Sequence, residues 1–190
     1  MKIKEVKTGT WITTKSGNRF DFANPTEDML KIEDIAGALS KICRFGGHGR
    51  QFYSVAEHCI NVARCTEALG GDRLSGLLHD AQEAYCGDQV TPLKSLLPQY
   101  QTIEASIVRI IAKKWKVDIG EYCVKESDRV MLWAEALLLV PGVRKWPGYK
   151  DRPKMPVGMF PLSKHHMNSS EAEWKFLQVF KQYSKHRVSL

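Results

Sequence analysis

The feature that most constrains this fold is the spacing of its apolar residues, which recur every three or four positions in successive blocks from Ile32 onward. That period belongs to helices that bury one face. Ile32, Ile35, Ala36, Leu39 and Ile42 form the first block, opened near Asn24-Pro25 and stopped by Gly46-Gly47. Ser54 and Glu57 have capping-box spacing at the start of a second helix, which Gly70-Gly71 ends. A third helix is expected from an Asp72 cap to Gly87, a fourth is centred on Ile103 to Trp115, and a fifth runs from Glu121 to Val140. Ser169 or Ser170, with Glu173 completing a second box, opens a last helix over 169–186 that presents Trp174, Leu177, Val179 and Phe180. Only Thr10 to Phe22, alternating about Ser16-Gly17-Asn18, reads as β, a short hairpin. The expected class is therefore all-α, a helical bundle with a short N-terminal β-hairpin.

A length of 190 residues suits one domain over 1–190, with a helical core over 10–140. Pro141 to Pro161 holds five prolines and three glycines without a period, so it reads as a long surface loop or lid. The five cysteines, Cys43, Cys59, Cys65, Cys86 and Cys123, are odd in number and form no Cys-x-x-Cys pair. They point to reduced core residues, neither a disulfide framework nor a zinc knuckle. No N-terminal apolar run suits a signal peptide and no window approaches a membrane span, so the expected location is cytoplasmic, with no membrane partner. The formal charge of +7 favours anionic partners. The lysines are scattered along the chain without a recognised nucleic-acid motif, so nucleic acid is not the expected partner.

Polar residues on apolar helix faces carry the functional signal. His58 is flanked by Val55 and Val62 on the inward stripe of the second helix, and Asp128 by Val124, Met131 and Leu132 on the fifth. An unpaired buried carboxylate is costly, and a metal ion would offset that cost. In the third helix His79 and Asp80 follow the apolar pair Leu77-Leu78, and Glu83 lies one turn after His79. Two imidazoles and two carboxylates from three helices would form a mixed nitrogen and oxygen shell with open positions, the arrangement of a catalytic site. Lys125, three residues before Asp128, shares its face. His48, in the turn Phe45-Gly46-Gly47-His48, stands where backbone can approach a ligand closely. It reads equally as a phosphate contact, a group behind the ligands or a plain loop histidine.

The segments Tyr53-Ser54-Val55-Ala56-Glu57-His58, His79-Asp80-Ala81-Gln82-Glu83, Gly87-Asp88, Thr91-Pro92-Leu93-Lys94 and Lys125-Glu126-Ser127-Asp128 resemble the HD-domain metal-dependent phosphohydrolases. The resemblance is closest to the branch with bacterial deoxynucleoside 5′-monophosphatases and phage deoxyadenosine triphosphohydrolases, over roughly residues 10–140 in matching order. It implies a compact HD-domain bundle in which His58, His79, Asp80 and Asp128 hold a divalent ion, zinc, cobalt, manganese or magnesium. It also implies that Glu83 orients or deprotonates the attacking water, that Asp88 lies near the sugar, and that Arg44, Lys94 and Lys125 contact phosphate. Phe45 stands where monophosphatase relatives usually carry Trp, and a base-stacking role follows from that position.

The expected reaction is attack on phosphorus by a water that the cation activates, with Lys and Arg neutralising the developing charge. Three candidate cations exceed what a monophosphate needs, so the leading expectation is a deoxynucleoside triphosphate triphosphohydrolase, with dATP as the candidate substrate. A deoxynucleoside 5′-monophosphatase on the same site is the alternative, and a third reading keeps the metal but acts on another phosphoester. A basic nucleic-acid-binding helical protein without catalysis is the rival of another class. A homo-oligomer is implied by the resemblance. His165-His166 are expected to be exposed, and Trp174, Phe176 and Phe180 to be core or a subunit contact.

Overall fold

The computed structural model describes residues 9–156, 162 and 165–185. It is mostly helical, with one two-stranded antiparallel hairpin, β1 (Trp11–Thr13) and β2 (Arg19–Asp21), paired Trp11 to Asp21, Ile12 to Phe20 and Thr13 to Arg19. Gly17, at φ +79°, makes the turn that a side chain would strain. The buried Asp34 accepts from Thr14 Oγ1 (2.8 Å), Ser16 Oγ (2.8 Å) and Ser16 N (2.6 Å), tying the turn to the first helix.

The helices are α1 (Ile32–Leu39), α2 (Val55–Ala68), α3 (Arg73–Leu78), α4 (Glu83–Cys86), α5 (Thr91–Lys94), α6 (Pro98–Trp115), α7 (Tyr122–Leu139) and α8 (Ser169–Ser184). Short 3-10 turns occur at Glu27–Met29, Arg44–Gly47, Val143–Lys145 and Tyr149–Asp151. α2 is central and packs against α3, α7 and α8. It is buried on nearly every side, from Val55 through Val62 and Ala63 to Thr66, and this is what allows His58 to be enclosed completely. Phe20 stacks on Tyr85 of α4 at 3.9 Å between ring centroids, seating the hairpin on the main core of α1, α2, α3, α6 and α8.

Several boundaries differ from the sequence expectation. The expected third helix over Asp72–Gly87 is broken. Asp72 does cap α3, through Leu74 N and Ser75 N, but after Leu78 the chain tightens into three-residue turns before α4. At the break the Gly76 carbonyl receives the imidazole of His79, through Nδ1 at 2.9 Å. The first helix ends at Leu39, short of Ile42. The cap of α8 is Asn168, in a box with Glu171, and neither Ser169 nor Ser170. Glu173, assigned to that box by spacing, instead pairs with Lys15 and Lys41. The Ser54–Glu57 box is half made: Ser54 accepts from Glu57 N (3.1 Å), while the Glu57 carboxylate turns to Met167 N (2.9 Å). Trp174 points outward at 61% exposure, whereas Phe176 and Val179 are core.

The expected loop over 141–161 carries the two 3-10 turns noted above as far as Asp151, and its stretch over 157–161 lies outside the described residues, as do Ser163, Lys164 and residue 186 of the expected last helix. No helix among the described residues is long and apolar enough to cross a membrane.

Candidate metal centre

His58 and His79 meet with their Nε2 atoms 3.2 Å apart. Asp128 Oδ1 lies 3.2 Å from His58 Nε2 and 3.7 Å from His79 Nε2, and Asp80 Oδ2 lies 3.6 Å and 3.1 Å from the same two nitrogens. Bonds of about 2.0–2.2 Å to a shared ion would set neighbouring donors roughly 3 to 3.6 Å apart, close to the 3.1 to 3.7 Å seen here. The helix break explains the meeting: ending α3 at Leu78 lets adjacent residues His79 and Asp80 turn toward one point, which adjacent positions on an intact helix would not do.

The opposite edge of each imidazole fixes its proton. His79 Nδ1 faces the Gly76 carbonyl, an acceptor, so it donates. His58 Nδ1 faces both oxygens of the fully buried Glu135, at 2.8 and 3.0 Å, and donates as well. In the neutral rings both Nε2 lone pairs therefore face each other and two carboxylates. Four acceptors converging on one point need a cation or added protons. Without an ion, protons would serve. Burial and Arg44 oppose charge on His58, but Glu135 and Asp128 outweigh them and raise its pKa; burial likewise opposes charge on His79, and Asp80 and Asp128 raise it well above the usual range. Burial would raise Asp80, yet the imidazoles of His79 and His58 hold it down at about 2.

The other expected residues divide. Arg44 is buried, with Nε 3.1 Å from Glu135 Oε2, an ion pair bent away from hydrogen-bond geometry, and Nη1 3.8 Å from Asp80 Oδ2. It is delivered by a turn in which Phe45, Gly46 and Gly47 all have positive φ, 56°, 60° and 79°; for Phe45 this is a strained conformation of a kind that gathers at functional sites. Glu83 is buried with Oε2 lacking a hydrogen-bond partner, and burial, then the charges of Asp80 and Asp88, push its carboxyl well above the usual range. Burial also raises Asp88, against the pull of Arg44. Lys94 is engaged by Glu104 at 2.6 Å, though its charge still acts on Glu83. Lys125 is exposed one turn before Asp128, and His48 is exposed beyond the Arg44 turn; the described contacts bring neither to the ligands.

Some participants escaped the sequence reading. Glu135 lies seven residues, two helical turns, after Asp128 and so on its face, a spacing that could have revealed it. Cys59 with His79 and Asp80 forms a second candidate ligand group, which shares His79 with the group of His58, His79 and Asp128. Burial pushes the Cys59 thiol up to about 11. His166, expected to be exposed, packs edge-on against Tyr53 (5.0 Å) with Nδ1 3.3 Å from Glu57 Oε1, while His165 is exposed. Cations also gather more than expected: Arg144, Lys145, Lys150 and Arg152 alternate with Trp146 and Tyr149. There the rings are engaged with one another, since Trp133 packs on Trp146 (6.1 Å) and Tyr149 (6.4 Å), Phe45 on Trp146 (6.4 Å), and Arg152 over Tyr149 (4.2 Å).

Fold and site together define a helical protein in which the buried His58 and His79, with the half-exposed Asp128 and with Asp80 beside them, form a cluster that could hold a metal ion. At 40% identity over 128 residues, 66% of this chain and 70% of the relative, the chain belongs to the family of YfdR, an uncharacterized protein of Escherichia coli. A second relative, an uncharacterized protein of Rhodobacter capsulatus, is 42% identical over 94 residues, 46% of this chain and 48% of its own length. Neither relative's name states an activity, and no protein-family model matches the chain.

Proposed function

We propose that the chain is an HD-domain, metal-dependent phosphohydrolase of deoxynucleotides, with His58, His79, Asp80 and Asp128 as ligands. The observation that carries this reading is the convergence of two imidazole Nε2 atoms whose Nδ1 atoms are already committed, within 3.2 Å of each other and beside two aspartates. The donor set of nitrogen and hard oxygen fits a divalent ion with positions left for ligands. Such an ion supplies Lewis acidity and a lowered pKa for water. The chain's own residues divide the remaining work. Glu83, with an unpartnered buried oxygen, orients the attacking water and accepts its proton, and Arg44 neutralises phosphate charge. Phe45, whose ring lies 5.4 Å from the Arg44 guanidinium and is tilted against Trp146 rather than stacked on it, is the ring assigned to the base.

The expectation of a triphosphate substrate rested on three cations. Lys94 is paired with Glu104, Arg44 lies between Glu135 and Asp80, and Lys125 is exposed on the surface of α7. That pairing favours the 5′-monophosphatase reading over the triphosphohydrolase.

Incubation with each dNMP and each dNTP in manganese, cobalt or zinc tests both. Inorganic phosphate from dNMPs, lost in Asp128→Ala, is the expected result. Triphosphate released from dATP or another dNTP would restore the triphosphohydrolase, and turnover of neither class would reject the nucleotide reading.

A further inference from the structure

Glu135 is fully buried and lies behind the candidate ligands rather than among them, and two hydrogen-bond donors and a guanidinium converge on it. Its Oε1 receives His58 Nδ1 (2.8 Å) and the Tyr53 hydroxyl (2.9 Å), and its Oε2 lies 3.0 Å from His58 Nδ1 and 3.1 Å from Arg44 Nε. The Tyr53 hydroxyl in turn accepts from Asn61 Nδ2 at 2.9 Å, so its own proton is directed at the carboxylate. A carboxylate enclosed this completely is costly unless charge and hydrogen bonds compensate it. Here one compensating group is the candidate metal ligand His58 and another is the candidate phosphate-binding Arg44.

We propose that Glu135 is a positioning residue that joins the cation site to the anion site: it holds His58 in the Nδ1–H form with Nε2 facing the ion, and with the same carboxylate it restrains the guanidinium of Arg44. The inference rests on the metal reading above, and its consequences are separable from it. Gln at this position has nearly the same shape but cannot accept from His58 and Tyr53 and also offset the charge of Arg44. With its oxygen toward His58 and Tyr53, its amide N–H groups face the guanidinium of Arg44, donor against donor. With the amide reversed, N–H groups face His58 Nδ1 and push the imidazole proton to Nε2, where the ion should bind.

Zinc binding to the full chain, measured by chelator competition in the wild type, Glu135→Gln and Tyr53→Phe, tests this with the fold followed by circular dichroism. Glu135→Gln is expected to bind zinc about 10- to 100-fold more weakly, the usual effect of losing a partner behind a ligating histidine. Tyr53→Phe removes one donor and leaves the carboxylate to His58 and Arg44, so its zinc affinity should change by less than about threefold. Equal affinity in wild type and Glu135→Gln, or an equal loss in both variants, would overturn the positioning role and leave the metal site standing. No zinc bound by the wild type would remove the metal site itself, and this proposal with it. Should Glu135→Gln not fold, nitrogen NMR of the zinc-loaded wild type decides: a protonated Nδ1 and ligating Nε2 on His58 are expected, and ligation through Nδ1 would overturn the proposal.

Discussion

Asp80 sits among two imidazoles and a guanidinium, and in the metal-free protein this sets an acid limit on stability. Its carboxyl is depressed from the ordinary 3.8 to about 2, because the charges of His79 and His58 outweigh the cost of burial. A depressed carboxylate stabilises the fold above its unfolded pKa, and the stabilisation is lost as pH falls through the folded value. The free energy of unfolding of the metal-free chain is therefore expected to drop between about pH 4 and pH 2, and to drop less steeply in Asp80→Asn, as denaturant titrations at each pH would show. At this scale much could be read from residue types alone. His58 and Asp128 stood out because each interrupts an apolar stripe. Glu135 did not, because its partners His58 and Tyr53 are 77 and 82 residues away and its role exists only once α2 and α7 are side by side.

Among the elements, the α2–α3 contact does most to build the site, and it depends on Gly76. A Cβ there would stand 2.6 Å from Thr66 Oγ1 and 3.0 Å from the Ala63 Cα on α2, too close for either to remain in place. The same residue supplies the carbonyl that orients His79. Gly76→Ala is therefore expected to destabilise the protein by about 1–3 kcal/mol in thermal or denaturant unfolding, as overpacking does, and to weaken metal binding by displacing His79. A variant with unchanged stability and metal affinity would show that the contact yields more easily than its distances imply. Hydrophobic period located α2, α6 and α7 well because each presents a long apolar face. It could not locate the break after Leu78, since no proline or other breaker stands there and the imidazole that meets the Gly76 carbonyl belongs to the next turn. The cap of α8 was misplaced for a related reason: Asn168 and Ser170 are both good caps with an acid three residues on, and the competing Glu173 is taken by Lys15 and Lys41 from the other end of the chain.

For the molecule as a whole, an ion bound to the folded state alone must stabilise it by mass action. Zinc at a hundred times its Kd should add about 2.7 kcal/mol. At roughly 2–4 °C per kcal/mol for a chain of this size, differential scanning calorimetry would detect the gain readily. The gain should vanish in Asp128→Ala, and binding should release protons, because the nearby carboxylates raise the pKa of both imidazoles and an ion must displace what they hold. A thermal midpoint unmoved by zinc would argue against the site. The sequence by itself determined a mostly helical chain with one hairpin and singled out four ligand-type residues, because helical period and a polar residue on an apolar face are local properties. Only the tertiary structure decided that the two imidazoles come within 3.1 to 3.7 Å of each other and of both aspartates, that Glu135 stands behind His58 and Arg44, that Lys94 belongs to Glu104, and that His166 is enclosed. Each of these is a distance between segments far apart in the chain, set by how helices pack rather than by what any one of them contains.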